Sequence, residues 1–117
     1  MTRRFLAVAL LGTCLVSPAF AHAFLEQANP SAGSQQKGSP PVVTMTFTAP
    51  VEPRFSLIEI RDSLGNRMDT GSVHRGEGKS IAVDLQTLPP GIYTVNWQAT
   101  SVDTHKTQGH FEFTVRP

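Results

Sequence analysis

Cysteine is almost missing from this sequence: Cys14 is the only one, and it stands inside an apolar N-terminal stretch that reads as a leader. A domain without it has no disulfide and no thiolate metal site, so a packed core must supply the stability. An excess of one charge is missing too, with ten Lys and Arg against nine Asp and Glu. The basic footprint of a nucleic-acid binder is absent, and no nucleic-acid partner is expected. Long hydrophobic runs are also lacking. The longest, Phe5 to Val16, is about a dozen residues, against the roughly 20 that a spanning helix needs. No stable membrane insertion is expected.

That short run fits a secretory signal over residues 1–21. Arg3 and Arg4 form the positive start, Phe5 to Val16 the apolar centre, and Ala19-Phe20-Ala21 the small-residue cleavage site. Leu11-Gly12-Thr13-Cys14 loosely imitates a lipoprotein cleavage site, but Gly12 and Thr13 fit it poorly and the downstream Ala-x-Ala is clean. Cleavage after Ala21 leaves 117 − 21 = 96 residues, one small domain over 22–117, with net charge (10 − 2) − 9 = −1 and His22 as first residue. An exported protein without an anchor is expected.

The remainder alternates with a period of two. Val43, Met45 and Phe47 share one face of a run, as do Ile81, Val83 and Leu85, then Tyr93, Val95, Trp97 and Ala99, then Phe111, Phe113 and Val115. Phe55 to Arg61 is a further strand whose inward face is blurred by the adjacent Leu57 and Ile58. Turn-forming Gly, Pro and Asn clusters separate these runs, among them Asn29 to Gly33, Leu64-Gly65-Asn66 and Pro89-Pro90-Gly91. No window carries a helical stripe. Five to seven short strands at this spacing predict an all-β fold, a single antiparallel Greek-key β-sandwich of immunoglobulin-like or cupredoxin-like type. Tyr93, just after a tight turn, and Trp97 are read as core residues.

Four histidines, His22, His74, His105 and His110, remain after the leader. His22 is singled out by the expected cut. A free α-amine, with an ordinary pKa of roughly 7.7 to 8.0, yields its proton to a competing metal, and with the ring Nδ1 of the same residue it closes a six-membered chelate. Asp103 and His105 lie two apart in Ser101-Val102-Asp103-Thr104-His105 and share a face of an extended segment. An amine, two imidazoles and a carboxylate make an N3O set that suits tetragonal Cu(II) first and tetrahedral zinc second. His110 falls on the polar face with Glu112 and Thr114, either as a surface residue or as an outer support of the site. His74 lies in the glycine-rich stretch Gly71 to Gly78 with no partner evident.

The His22 start, Asn29 to Ser34 (NPSAGS), Phe47 to Pro53 (FTAPVEP), Pro90 to Trp97 (PGIYTVNW), and Ser101 to His105 followed by Gly109 together resemble the periplasmic copper resistance protein CopC family across the whole mature chain. The resemblance implies a copper-binding β-sandwich in the periplasm, with Cu(II) held by His22 through amine and ring, by Asp103 and by His105. It also implies a carrier or buffer in copper resistance or homeostasis, with a membrane importer of the CopD type as candidate recipient and a monomer as the expected state. Two departures stand out: Ala49 occupies a position where many relatives carry an acid, with Glu52 nearby but pointing elsewhere, and no methionine-rich loop for Cu(I) is present, since only Met45 and Met68 follow the leader.

Two other classes compete with this one. A histidine-brace copper monooxygenase would use a similar N-terminal chelate, but 96 residues leave little room for a substrate face and a ligating Asp103 fills the position an oxidant needs. The other is a metal-free structural sandwich. A non-enzymatic copper protein is expected.

Overall fold

The alternating runs fold as the strands they predict, and they bury their apolar faces against each other. The computed structural model describes residues 22–117; the expected signal sequence over 1–21, with Cys14, lies outside the described residues. Eight strands follow in order: β1 (Leu25–Asn29), β2 (Gln35–Lys37), β3 (Val42–Phe47), β4 (Leu57–Arg61), β5 (Asp69–Arg75), β6 (Ser80–Leu85), β7 (Gly91–Thr100) and β8 (Lys106–Arg116). They form two four-stranded sheets, ordered β1-β3-β6-β5 and β2-β8-β7-β4. The chain changes sheets at every connection except β5–β6 and β7–β8, which gives the Greek-key order of an immunoglobulin-like sandwich.

One sheet departs from the antiparallel expectation. The first is antiparallel throughout, whereas β2 runs parallel to β8, pairing Gln35 with Thr114 and Lys37 with Arg116. The N-terminal segment thus contributes β1 to one sheet and β2 to the other, and so pairs with the last strand of the chain.

The core lies between the sheets. Val43, Met45, Phe47, Ile81 and Val83 meet Ile58, Ile60, Tyr93, Val95, Ala99, Phe111, Phe113 and Val115, all of them buried. Tyr93 stacks on Phe113 at 5.8 Å, and its hydroxyl donates to the Pro89 carbonyl, the corner bond typical of this sandwich. Trp97 is only partly buried and packs edge-on against Phe47 at 5.4 Å. Leu85, expected inward, is also half-buried, because β6 is leaving the core at its end.

The strand expected from Phe55 begins at Leu57 instead. Pro53 has a fixed φ and no N–H, so it starts a 3-10 turn over Pro53–Phe55. That turn leaves Phe55 exposed, while Ile58 and Ile60 face the core.

Gly109 faces Trp97 across the β7–β8 pair, and a Cβ there would come within 2.8 Å of the indole Cζ2. We expect Gly109→Ala to cost about 1–3 kcal/mol through forced displacement of the ring. Urea unfolding followed by the emission of the sole tryptophan would check this, with an altered native spectrum expected as well.

Among the described residues Asp69 is the one buried carboxylate, at 4% exposure. It accepts the N–H groups of Ile60 and Gly71, each at 2.8 Å, and pairs with Arg67 Nε at 2.9 Å. Burial pushes its pKa up, but the Arg67 hydrogen bond, the two backbone bonds and the Arg67 charge together hold it below the ordinary carboxylate value. A depressed folded pKa contributes stability above the unfolded pKa of about 3.9, and that contribution disappears as pH falls through the lower folded value. Stability is therefore expected to drop below about pH 4, and the drop should flatten in Asp69→Asn. Denaturant midpoints measured across that range provide the check.

Candidate metal centre

Two separate parts of the chain meet at one end of the sandwich. The first is the N-terminal segment ahead of β1. Ala23 is buried, at 1% exposure, and its carbonyl accepts the Thr107 hydroxyl at 2.7 Å. Thr48, just past β3, donates its hydroxyl to the His22 carbonyl at 3.2 Å and accepts the Phe24 N–H at 3.0 Å. Its own N–H bonds the Phe24 carbonyl at 2.9 Å. Thr48 and Thr107 therefore tie residues 22–24 to both sheets, and His22, the first described residue, begins that anchored segment.

The second part is the β7–β8 hairpin. The register closes with Thr100 opposite Lys106, leaving Ser101–His105 as the connection. The Thr104 N–H bonds the Ser101 carbonyl and the Ser101 N–H bonds the His105 carbonyl, both at 2.9 Å. Thr104 sits in the left-handed region, at φ 72°. A tight turn followed by a left-handed residue is a common short hairpin loop, but a β-branched residue rarely occupies that position. Its effect is to bring His105 back beside Asp103.

Asp103 and His105 are accordingly neighbours, with Asp103 Oδ2 at 3.2 Å from His105 Nδ1. That nitrogen is shielded from solvent, although both side chains are about two-fifths exposed. A hydrogen bond from Ser101 is the main influence holding the Asp103 carboxyl below the ordinary range; desolvation opposes it, and the side chain and N–H of His105 add to the lowering. The His22 ring lies edge-on to that of His105, with centroids 4.9 Å apart.

All three residues singled out in the sequence therefore sit at one place, joined through His105. They do not form a finished cage: among the described residues, no three His, Cys, Asp or Glu side chains are gathered around a single point. Part of the N3O set is an α-amine, which exists only when His22 is the first residue and is not a side-chain donor.

The other two histidines lie elsewhere. His110 is exposed on β8, where it pairs with Asn96 of β7, five residues beyond His105, or about 16 Å at roughly 3.3 Å per residue. It is out of reach of the site. His74 is on strand β5 rather than in a turn, and its Nε2 lies 3.2 Å from Asp84 Oδ1 on the adjacent β6. Its partner was hidden in the sequence because the pairing depends on the β5–β6 register. Ala49 is buried and Glu52 is half-buried ahead of the 3-10 turn, its N–H bonded to the Thr100 carbonyl at 2.8 Å. Ser101, which no sequence signal marks, is 2% exposed and hydrogen-bonds to both Asp103 and His105.

Among the described residues no helix is long and apolar enough to cross a membrane. Comparison with known proteins adds the lineage. Residues 25–116 match the CopC domain. The chain is 40% identical over 114 residues to Protein YobA of Escherichia coli K12, covering 94% of this chain and 92% of that one. It is 32% identical over 104 residues to the copper transport protein CutJ of Bacillus subtilis, covering 86% of this chain but only 19% of that longer one. The crystal structure of CopC from Methylosinus trichosporium OB3b superposes with a TM-score of 0.77 at 35% identity, over 82% of this chain and 95% of the other. With its domain matched almost from end to end and its sandwich reproduced in a solved structure, this chain belongs to the CopC family.

Proposed function

We propose that the protein is a periplasmic Cu(II) carrier or buffer serving copper resistance or homeostasis, and that its role is non-enzymatic. The ion would be held by the amine and ring Nδ1 of His22, the carboxylate of Asp103 and the imidazole of His105. One observation carries the reading: the fold brings the His22 ring to 4.9 Å from the His105 ring, and Asp103 to 3.2 Å from His105, although 103 − 22 = 81 positions separate the first residue from the carboxylate. Family membership supports copper as the cargo, as do relatives whose names refer to copper transport.

The donor set favours the oxidised ion. Nitrogen and oxygen donors in a tetragonal arrangement suit Cu(II), whereas Cu(I) selects thioethers. Met45 is fully buried in the core and Met68 packs partly against it, which leaves no surface methionine cluster among the described residues. Ligand ordering is limited, since Thr48 and Thr107 already hold residues 22–24 beside the hairpin. Binding displaces protons from the amine and imidazoles, so affinity falls toward acid.

Handover to a membrane copper importer of the CopD type fits the exposed position of the site at the sandwich end. The match to a minor part of a longer copper transport protein, CutJ, supports such a link. Export directed by the signal over residues 1–21, followed by cleavage after Ala21, would place the protein where that exchange occurs.

The test is equilibrium dialysis against Cu(II) of protein beginning at His22, alongside its His105→Ala variant. One ion per chain, an axial copper spectrum dominated by nitrogen donors, and at least about a tenfold (~1.4 kcal/mol) weaker variant are expected. Equal uptake by the two proteins would overturn the proposal.

A further inference from the structure

Ser101 is one of only four buried polar residues among those described, the others being Asp69, Ser80 and Thr100. Its hydroxyl is placed between the two hairpin residues of the copper site. It donates to Asp103 Oδ1 and lies 3.2 Å from both the N–H and the carbonyl of His105. A serine hydroxyl has one proton and two acceptor positions. With the proton directed to the carboxylate, the oxygen is left to accept the His105 N–H. A single buried atom thus binds the side chain of one candidate ligand and the backbone of the other.

The Ser101 backbone is fixed independently. It bridges to Val51 in the segment after β3, and its N–H and carbonyl close the hairpin through His105 and Thr104. Val102 adds a bond to the Pro50 carbonyl at 3.2 Å. The hydroxyl is consequently held on a rigid base, whereas the Asp103 carboxylate is about two-fifths exposed and would otherwise turn among rotamers in water. With Oδ1 tied to Ser101, Oδ2 faces His105 Nδ1 at 3.2 Å. Two donors about 2.0 Å from one ion and at right angles to each other are roughly 2.8 Å apart. The pair therefore needs to close by only a few tenths of an ångström.

We propose that Ser101 is a positioning residue for Cu(II) capture: its hydroxyl dedicates one Asp103 oxygen to the protein and presents the other, beside the His105 ring, as a preset pair of donors. The proposal rests on the assignment of Asp103 and His105 as ligands. The strained left-handed Thr104 is part of the same device, because the surrounding hydrogen bonds over-determine its conformation.

The experiment is a double-mutant cycle in protein beginning at His22, with Cu(II) affinity measured by competition with a chromophoric chelator and the site followed by electron paramagnetic resonance. Ser101→Ala is expected to weaken binding ten- to a hundredfold, the usual effect of removing an outer partner of a ligand, and to change the copper hyperfine pattern. In an Asp103→Ala background the same change should cost less than about threefold, because Ser101 then has no carboxylate to orient. A similar loss in both backgrounds, or wild-type affinity in Ser101→Ala, would overturn the proposal.

Ser101→Thr and Ser101→Val, which share a shape and differ in the hydroxyl, keep the test valid if alanine unfolds the hairpin. Thr should retain binding and Val should lose it; equal behaviour would again overturn the role. An Asp103→Ala variant that binds as tightly as wild type would instead sink the underlying ligand assignment. The two failures are thereby separable.

Discussion

Placing one extra residue ahead of His22 should abolish most Cu(II) affinity, by about a thousandfold or more (~4 kcal/mol). The added peptide bond converts the terminal amine into an amide, and an amide nitrogen gives up its proton far less readily. The six-membered ring that the amine closes with Nδ1 disappears, leaving His22 as a single imidazole donor. The fold should not register the change. Residue 22 interacts with the sandwich through its carbonyl, which Thr48 bonds, and through its ring, while Ala23 supplies the buried anchor. Matching thermal unfolding of the two apo-proteins, together with calorimetric titration with Cu(II), would check both halves. Unchanged affinity in the extended protein would refute the chelate.

The second large effect concerns stability. Phe47→Ala should cost about 3–5 kcal/mol, the range for emptying a buried phenylalanine site. A domain of this size has a total of roughly 5–15 kcal/mol, and this one has no disulfide among its described residues to limit the unfolded chain. Phe47 is fully buried at the end of β3, meets the Trp97 ring at 5.4 Å and leads directly into Thr48. Its loss should therefore lower the urea midpoint, shift the tryptophan emission, and weaken Cu(II) binding by loosening the hydroxyl that holds residues 22 and 24. A variant with an unaltered midpoint would show that the core is not organised around this ring.

The strands that could be read in the sequence are those with one buried face. Val43, Met45 and Phe47 alternate with half-exposed neighbours, and β7 and β8 do the same, so period two is visible in the letters. β1, β2 and β5 could not be read this way. They are the outer strands of their sheets, apart from β4, and their sequences LEQAN, QQK and DTGSVHR are largely exposed. What makes them strands is pairing with distant neighbours. That accounts for eight strands where five to seven were expected, and for the parallel β2–β8 contact, which no local pattern encodes.

The site was legible for a different reason. His22, Asp103 and His105 carry chemistry that stands out by type, spacing and position next to a cleavage signal, and the fold brings them together. Ser101 carried no such mark. Its role comes from a hydroxyl buried under a turn, and Ser-x-Asp in a loop is too common to signal it. His110 was legible as an exposed residue from its place on the polar face with Glu112 and Thr114, and it stands five residues beyond His105, or about 16 Å at roughly 3.3 Å per residue along an extended strand.

The parallel alignment of β2 with β8 has a kinetic corollary. A chain that emerges with its amino end first cannot complete the second sheet until Thr114 to Arg116 are available to Gln35 to Lys37. Such distant closures slow folding, typically into the millisecond-to-second range for β-sandwiches. The second sheet is thus completed only after residues 114–116 have been released, later than the Ser101–His105 hairpin turn has left the translocation path.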